Sequence, residues 1–102
     1  TAYDTESTGG ADPDSLTIDV PANGGGLSFA FSDAGSATVT WAGFDETLDT
    51  AVEGVTYSSA AKIFGTFQSG LTVSADYSAA PGRSAMVAAS WGPPPAGPAR
   101  AR

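Results

Sequence analysis

Between residues 15 and 91 the chain returns again and again to one local pattern, an apolar side chain at every second position. "SLTIDV" sets Leu16, Ile18 and Val20 on one side and Thr17 and Asp19 on the other. "LSFAFS" does the same with Leu27, Phe29 and Phe31, and "ATVTW" with Ala37, Val39 and Trp41. "LTVSADY" follows with Leu71, Val73, Ala75 and Tyr77, then "SAMVAASW" with Ala85, Val87, Ala89 and Trp91. A period of two is the signature of a strand with one buried face, because successive side chains leave the pleat on opposite sides. The breaks between these stretches, "PANGGG", "DAGS", "SG" and "SAAPGR", are rich in the Gly, Pro, Asn and Asp that turns require.

Two regions are less regular. In "FDETLDTAVEGVT" Leu48 and Val52 stand four apart, as in a helical turn, but the Thr and Val content favours extended chain, and a short strand is expected. "VTYSSAAKIFGTFQ" reads as a further strand with Ile63 and Phe67 on one face and a kink at Gly65. Seven or eight short strands, at intervals of about ten residues and without a long helix, predict an all-β, antiparallel β-sandwich of Ig-like or jelly-roll-like kind. Phe29 and Trp41 are expected in its core.

Leu, Ile, Val and Phe total 17 residues, and none falls in 1–14 or 92–102. The expected organisation is therefore an extended acidic leader over 1–14, a sandwich domain over 15–91, and a proline-rich basic arm over 92–102. Many inward positions are Ala, so the core is expected to be thin.

Charge excludes some functions. Residues 1–82 hold all eleven carboxylates against Lys62, whereas 83–102 hold Arg83, Arg100 and Arg102 and no acid. An acidic domain lacks the basic face that phosphates require, so nucleic acid is not expected as a partner. Apolar runs such as "AMVAASW" fall far short of the roughly 20 residues of a membrane helix. With no Cys and no His, neither disulfides nor the familiar nucleophile–base triads can be assembled.

The carboxylates are the remaining catalytic candidates. Asp12 with Asp14, and Asp45 with Glu46 and Asp49, are the clusters in which paired acids for glycoside hydrolysis would be sought. Asp4, Glu6, Asp12 and Asp14 offer oxygens for Ca²⁺ but lack the spacing of an EF-hand loop. Both groups are read as solvated loop acids, Lys62 as a solvated charge, and "NGGGL" as a turn, since no Lys-Ser/Thr and no helix follow it. No enzyme activity, cofactor or metal is expected.

The ending "SWGPPPAGPARAR" stands apart. Its prolines cannot join a sheet interior and favour polyproline-II geometry, which gives 92–102 a reach of roughly 34 Å at about 3.1 Å per residue. The expected partner-binding residues are Trp91, Pro93, Pro94, Pro95, Pro98, Arg100 and Arg102 at this end and Tyr3 at the other, with the arginines pairing to carboxylates of a neighbour.

The run from "SLTIDV" through "VTWAGFDETL" to "SGLTVSADYSAAPGRSAMVAASW" resembles small β-sandwich structural proteins of tailed bacteriophages. The motifs are an aromatic-x-Gly strand end, Trp41-Ala42-Gly43, a "G-x-T-V-x-x-x-Y-S" strand from Gly70 to Ser78, and a closing small-residue strand from Ala85 to Trp91. The resemblance implies a virion component on the capsid surface, a decoration (cement) protein that binds the major capsid protein and other copies of itself, as a trimer. A tail or fibre domain is the neighbouring possibility. The rival from another class is a secreted carbohydrate-binding or adhesion module, which needs exposed aromatics on one face with polar groups around them.

Overall fold

The structure, a computed structural model, describes residues 2–33 and 38–93. Within them the strands are β1 (Asp4–Gly9), β2 (Asp14–Val20), β3 (Gly25–Ser32), β4 (Val39–Ala42), β5 (Asp45–Val52), β6 (Val55–Ile63), β7 (Gln68–Tyr77) and β8 (Ser84–Trp91). They form a five-stranded sheet in the order β1-β8-β3-β6-β5 and a three-stranded sheet in the order β2-β7-β4. Every pairing is antiparallel, and the two sheets pack together as the β-sandwich the alternation predicts.

Local chemistry accounts for the connections. β5 and β6 form a hairpin closed by Glu53 and Gly54, whose φ angles of 47° and 81° are the left-handed pair of a type I′ turn. The "SG" at 69–70 is not a turn. Both residues lie inside β7, where the β2–β7 register shifts between Ile18 and Val20. The Gly70 amide donates to Asp19 Oδ1 at 2.7 Å there, so the break in pattern is a bulge. Gly65 falls in the connection between β6 and β7. Ala37 and most of "DAGS" lie outside the described residues.

The acidic leader contributes a strand of its own, β1, which is integral to the sandwich. β1 adds to the edge of the five-stranded sheet by pairing with β8 from Asp4↔Ser90 to Gly9↔Ala85. Its burial is slight, so the backbone ladder rather than an apolar face holds it. Carboxylates on both edge strands of this sheet, β1 and β5, discourage further strand addition.

The core follows the alternation in one sheet and reverses it in the other. From the three-stranded sheet Leu16, Ile18, Val20, Val39, Val73, Ala75 and Tyr77 point inward, as predicted. Trp41 is half-buried against this cluster, and its Nε1–H donates to Ser58 Oγ at 2.7 Å. In β3 the buried residues are Ser28, Ala30 and Ser32, and in β8 they are Met86, Ala88 and Ser90. Leu27, Phe29, Phe31, Ala85, Val87, Ala89 and Trp91 therefore take the outward phase, opposite to the sequence expectation.

The reason is volume. The smaller sheet and the Phe44 ring already fill the space between the layers, leaving room for only small partners across it. A Cβ on Gly26 would meet Phe44 Cζ at 2.2 Å. Buried serines then satisfy their hydroxyls locally: Ser28 Oγ donates to the Val87 carbonyl and Ser90 Oγ to the Asp19 carbonyl, the latter bridging the two sheets.

One expectation for stability changes accordingly. A buried Phe→Ala costs about 3–5 kcal/mol, but Phe29 is 54% exposed. In dilute solution Phe29→Ala should lower unfolding stability by less than about 1 kcal/mol, as surface changes do. Denaturant midpoints of the two proteins check this.

Candidate protein-contact face

Strand register collects the outward side chains of the large sheet into one surface. Phe29 lies opposite Val87 on β8 and Ser59 on β6; Phe31 lies opposite Ala85 and Tyr57. Leu27 faces Ala89 and Ala61, and Leu48 on β5 lies beside Ser59. Phe29, Phe31, Tyr57 and Val87 are 54, 39, 47 and 49% exposed. Two shallow grooves run across the face. One, of about 330 Å³, lies among Phe29, Phe31, Leu48, Tyr57 and Val87; the other, of about 560 Å³, lies among Leu27, Phe29, Val87, Ala89 and Trp91. Of the charged residues on the edge strands, Glu6 of β1 lines the larger groove at its margin, and Asp45 lies on β5 at the opposite edge.

This arrangement inverts the usual economy of a strand. In β3 and β8 the inner face is Ser, Ala and one Met, while the outer face carries Phe, Phe, Val and Trp. Large apolar residues clustered on a charge-free centre, with polar residues at the margin, are the composition of a protein interface. Sequence reasoning missed the face because it assigned these residues to the core. The available signal was the complementary phase, Ser28-Ala30-Ser32 and Met86-Ala88-Ser90, which is small or apolar and can itself be buried.

The predicted partner-binding residues are only partly brought together. Trp91 is 41% exposed and closes one end of the apolar face. Pro93 lies nearby, beside Trp91, Ile63 and Gly24. Tyr3 is elsewhere: its amide donates to the Ser90 carbonyl at 2.6 Å, and its ring meets Phe67 edge-on at 6.4 Å. Pro94, Pro95, Pro98, Arg100 and Arg102 lie outside the described residues.

The acids are not simply solvated. Asp14 is fully buried; its Oδ1 accepts from the Ala11 amide and its Oδ2 from the Tyr77 hydroxyl at 2.8 Å. Asp12 Oδ1 accepts from the Tyr77 amide, and Asp33 Oδ1 from the amides of Gly82 and Arg83. Asp49 Oδ2 accepts from the Val39 amide, whereas its Oδ1 is buried without a partner. These carboxylates cap backbone groups, which is why they cluster at loops. Asp45 and Glu46 remain exposed, and Lys62 is an exposed cation 4.0 Å from Asp45, a contact that water screens. Among the described residues no three Asp or Glu side chains converge as a metal site would require.

Burial, and then the hydrogen bond it donates to the Asp14 carboxylate, push the Tyr77 hydroxyl well above the ordinary tyrosine range. A phenol with a raised folded pKa contributes stability that is fully present below the unfolded value and is lost as pH rises beyond it. The unfolded chain ionises Tyr77 from about pH 10 while the fold holds the proton, so stability should fall by about 1.4 kcal/mol per pH unit above that point. Unfolding midpoints across the alkaline range should show this slope in the wild type and lose it in Tyr77→Phe.

Comparison with protein-family models, curated proteins and solved structures finds no match for this chain.

Proposed function

We propose that this chain is a non-enzymatic structural protein that works by joining a larger assembly, with the outward face of its five-stranded sheet as the principal contact surface. The observation that carries the reading is the inversion of β3 and β8, small residues inside and Phe29, Phe31, Val87 and Trp91 outside. These side chains leave 39–54% of their surface in water and so forgo roughly half of the about 1.5–3 kcal/mol that full burial contributes, which a covering partner would recover. We further propose that the assembly is the head of a tailed phage and that the chain decorates it. The support for that step is the resemblance carried by Trp41-Ala42-Gly43, Gly70–Ser78 and Ala85–Trp91.

A second reading, carbohydrate binding, draws support from the same exposed aromatics. The surroundings favour protein over sugar. The groove among Phe29, Phe31, Leu48, Tyr57 and Val87 has the Tyr57 hydroxyl and two serines as its polar side-chain groups, and Ser59 Oγ already bonds Thr47 Oγ1 while Ser58 Oγ donates to the Leu48 carbonyl. A sugar ring needs several free hydrogen-bond partners around the aromatic platform.

Co-sedimentation with purified phage heads lacking the protein tests the proposal. Wild type should pellet with the particles, and the Phe29→Ser, Val87→Ser double variant should stay in the supernatant while keeping its far-ultraviolet dichroism. Deleting 92–102 should weaken attachment less than the double substitution. Failure to pellet, together with retention on a glycan array that the same substitutions abolish, would replace this reading by the second.

A further inference from the structure

We infer that the partner covering the outward face of the five-stranded sheet is a second copy of the same chain, packed sheet against sheet about a twofold axis. This rests on reading the face as a protein contact surface. Area and charge together carry the choice of occupant.

Aromatic side chains carry about 150–250 Å² each, so the half-exposed Phe29, Phe31, Tyr57 and Trp91 alone present on the order of 400 Å². That is about half of the roughly 800 Å² per partner that a stable interface buries, before Leu48, Val52 and Val87 are counted. The face spans adjacent strands of a regular sheet, and two such sheets stack about 10 Å apart with side chains interdigitating. A surface with an apolar centre is complementary to itself, which is what a twofold contact demands.

Charge then selects the occupant. The chain carries a net charge of −7, so two copies repel wherever their carboxylates would be opposed. The centre of this face has none: Phe29, Phe31, Tyr57, Ala85, Val87 and Ala89 occupy it, with Glu6 and Asp45 at opposite margins. Two acidic copies can therefore meet here without juxtaposing carboxylates. The threefold ring that the phage resemblance implies needs each copy to present two different surfaces, whereas a twofold contact uses this one face on both copies. In this arrangement the face joins the assembly by pairing copies, and substitutions at Phe29 and Val87 loosen attachment by breaking the pair.

Sedimentation equilibrium of the full chain, from micromolar to millimolar concentration, tests the inference. The mass should rise from monomer to dimer and stop there. Association should tighten as salt is raised from low to physiological ionic strength, because the remaining repulsion is screened over about 8 Å. Val87→Glu, at an exposed position, should weaken association at least tenfold, since it puts a carboxylate into the apolar centre of the contact. Thr17→Glu, on the exposed side of β2, should leave it unchanged. A chain that stays monomeric at every concentration yet still pellets with phage heads overturns the dimer and leaves the proposed function standing. A dimer indifferent to Val87→Glu overturns the assignment of the face. A chain that dimerises only after residues 94–102 are removed would identify its own arm as the occupant, again overturning the inference.

Discussion

Asp14→Ala is expected to destabilise the fold by about 3–5 kcal/mol. The side chain is fully buried at the start of β2 and holds two donors at once, the Ala11 amide and the Tyr77 hydroxyl. A hydrogen bond to a charged acceptor contributes about 1.5–3 kcal/mol, and stranding a buried hydroxyl costs about 1–3 kcal/mol more. Tyr77 is itself 3% exposed, so water cannot replace the lost partner without opening the core. Against a total stability of about 5–15 kcal/mol the loss would leave a marginal protein. Asp76→Ala, at an exposed position of β7, should change stability by no more than about 0.5 kcal/mol. A cycle with Tyr77→Phe should return a coupling of about 1–3 kcal/mol, as for residues in direct contact. A midpoint for Asp14→Ala equal to that of Asp76→Ala would show that the pair does not support the fold.

Gly43→Ala should cost about 3–4 kcal/mol, for two separable reasons. The residue has φ of +92°, a conformation that charges an L side chain about 1–2 kcal/mol. An added Cβ would also stand 2.4 Å from the Thr72 carbonyl oxygen and 3.0 Å from Val73 Cα, both backbone atoms of β7. Backbone held in a sheet cannot step aside, so an overpacking cost of about 1–3 kcal/mol adds to the first. Gly10 separates the terms: its φ is +78° but nothing lies within 4 Å of the added atom. Gly10→Ala should show the conformational cost alone. Gly65→Ala, in open space and without a positive φ, should be neutral or slightly stabilising. If Gly43→Ala and Gly10→Ala prove equally costly, the close approach of the chain to β7 is not what demands glycine at 43. The glycine of the Trp41-Ala42-Gly43 motif thus has a packing explanation that stands apart from any resemblance.

How much was legible differs from strand to strand. In β2 and β7 one phase is large and apolar and the other is Ser, Thr and Asp, so the local pattern could point only one way, and Ile18, Val20 and Val73 are buried as expected. β1 carries no apolar pattern at all; its place in the sheet comes from backbone pairing with a strand some 80 residues away, and no local rule announces that. The aspartate caps were equally hidden, because Asp19 meets Gly70, Asp33 meets Gly82 and Asp14 meets Tyr77 across at least 49 residues of chain. A cluster of acids at a loop reads as solvated until the fold brings it a donor.

What the sequence determined by itself was the strands between residues 14 and 91, most of the turns between them and the one-sheet face whose alternate residues are polar, because these follow from period, turn chemistry and the cost of burying a charge. Which face of β3 and β8 became the interior was decided by the tertiary structure alone. Both phases of those strands could be buried, and a local pattern cannot weigh them when neither contains a charge. The opposing sheet and the Phe44 ring settle the matter by occupying the available volume, so Ser28, Ala30 and Ala88 fit inside and Phe29, Phe31 and Val87 are turned outward.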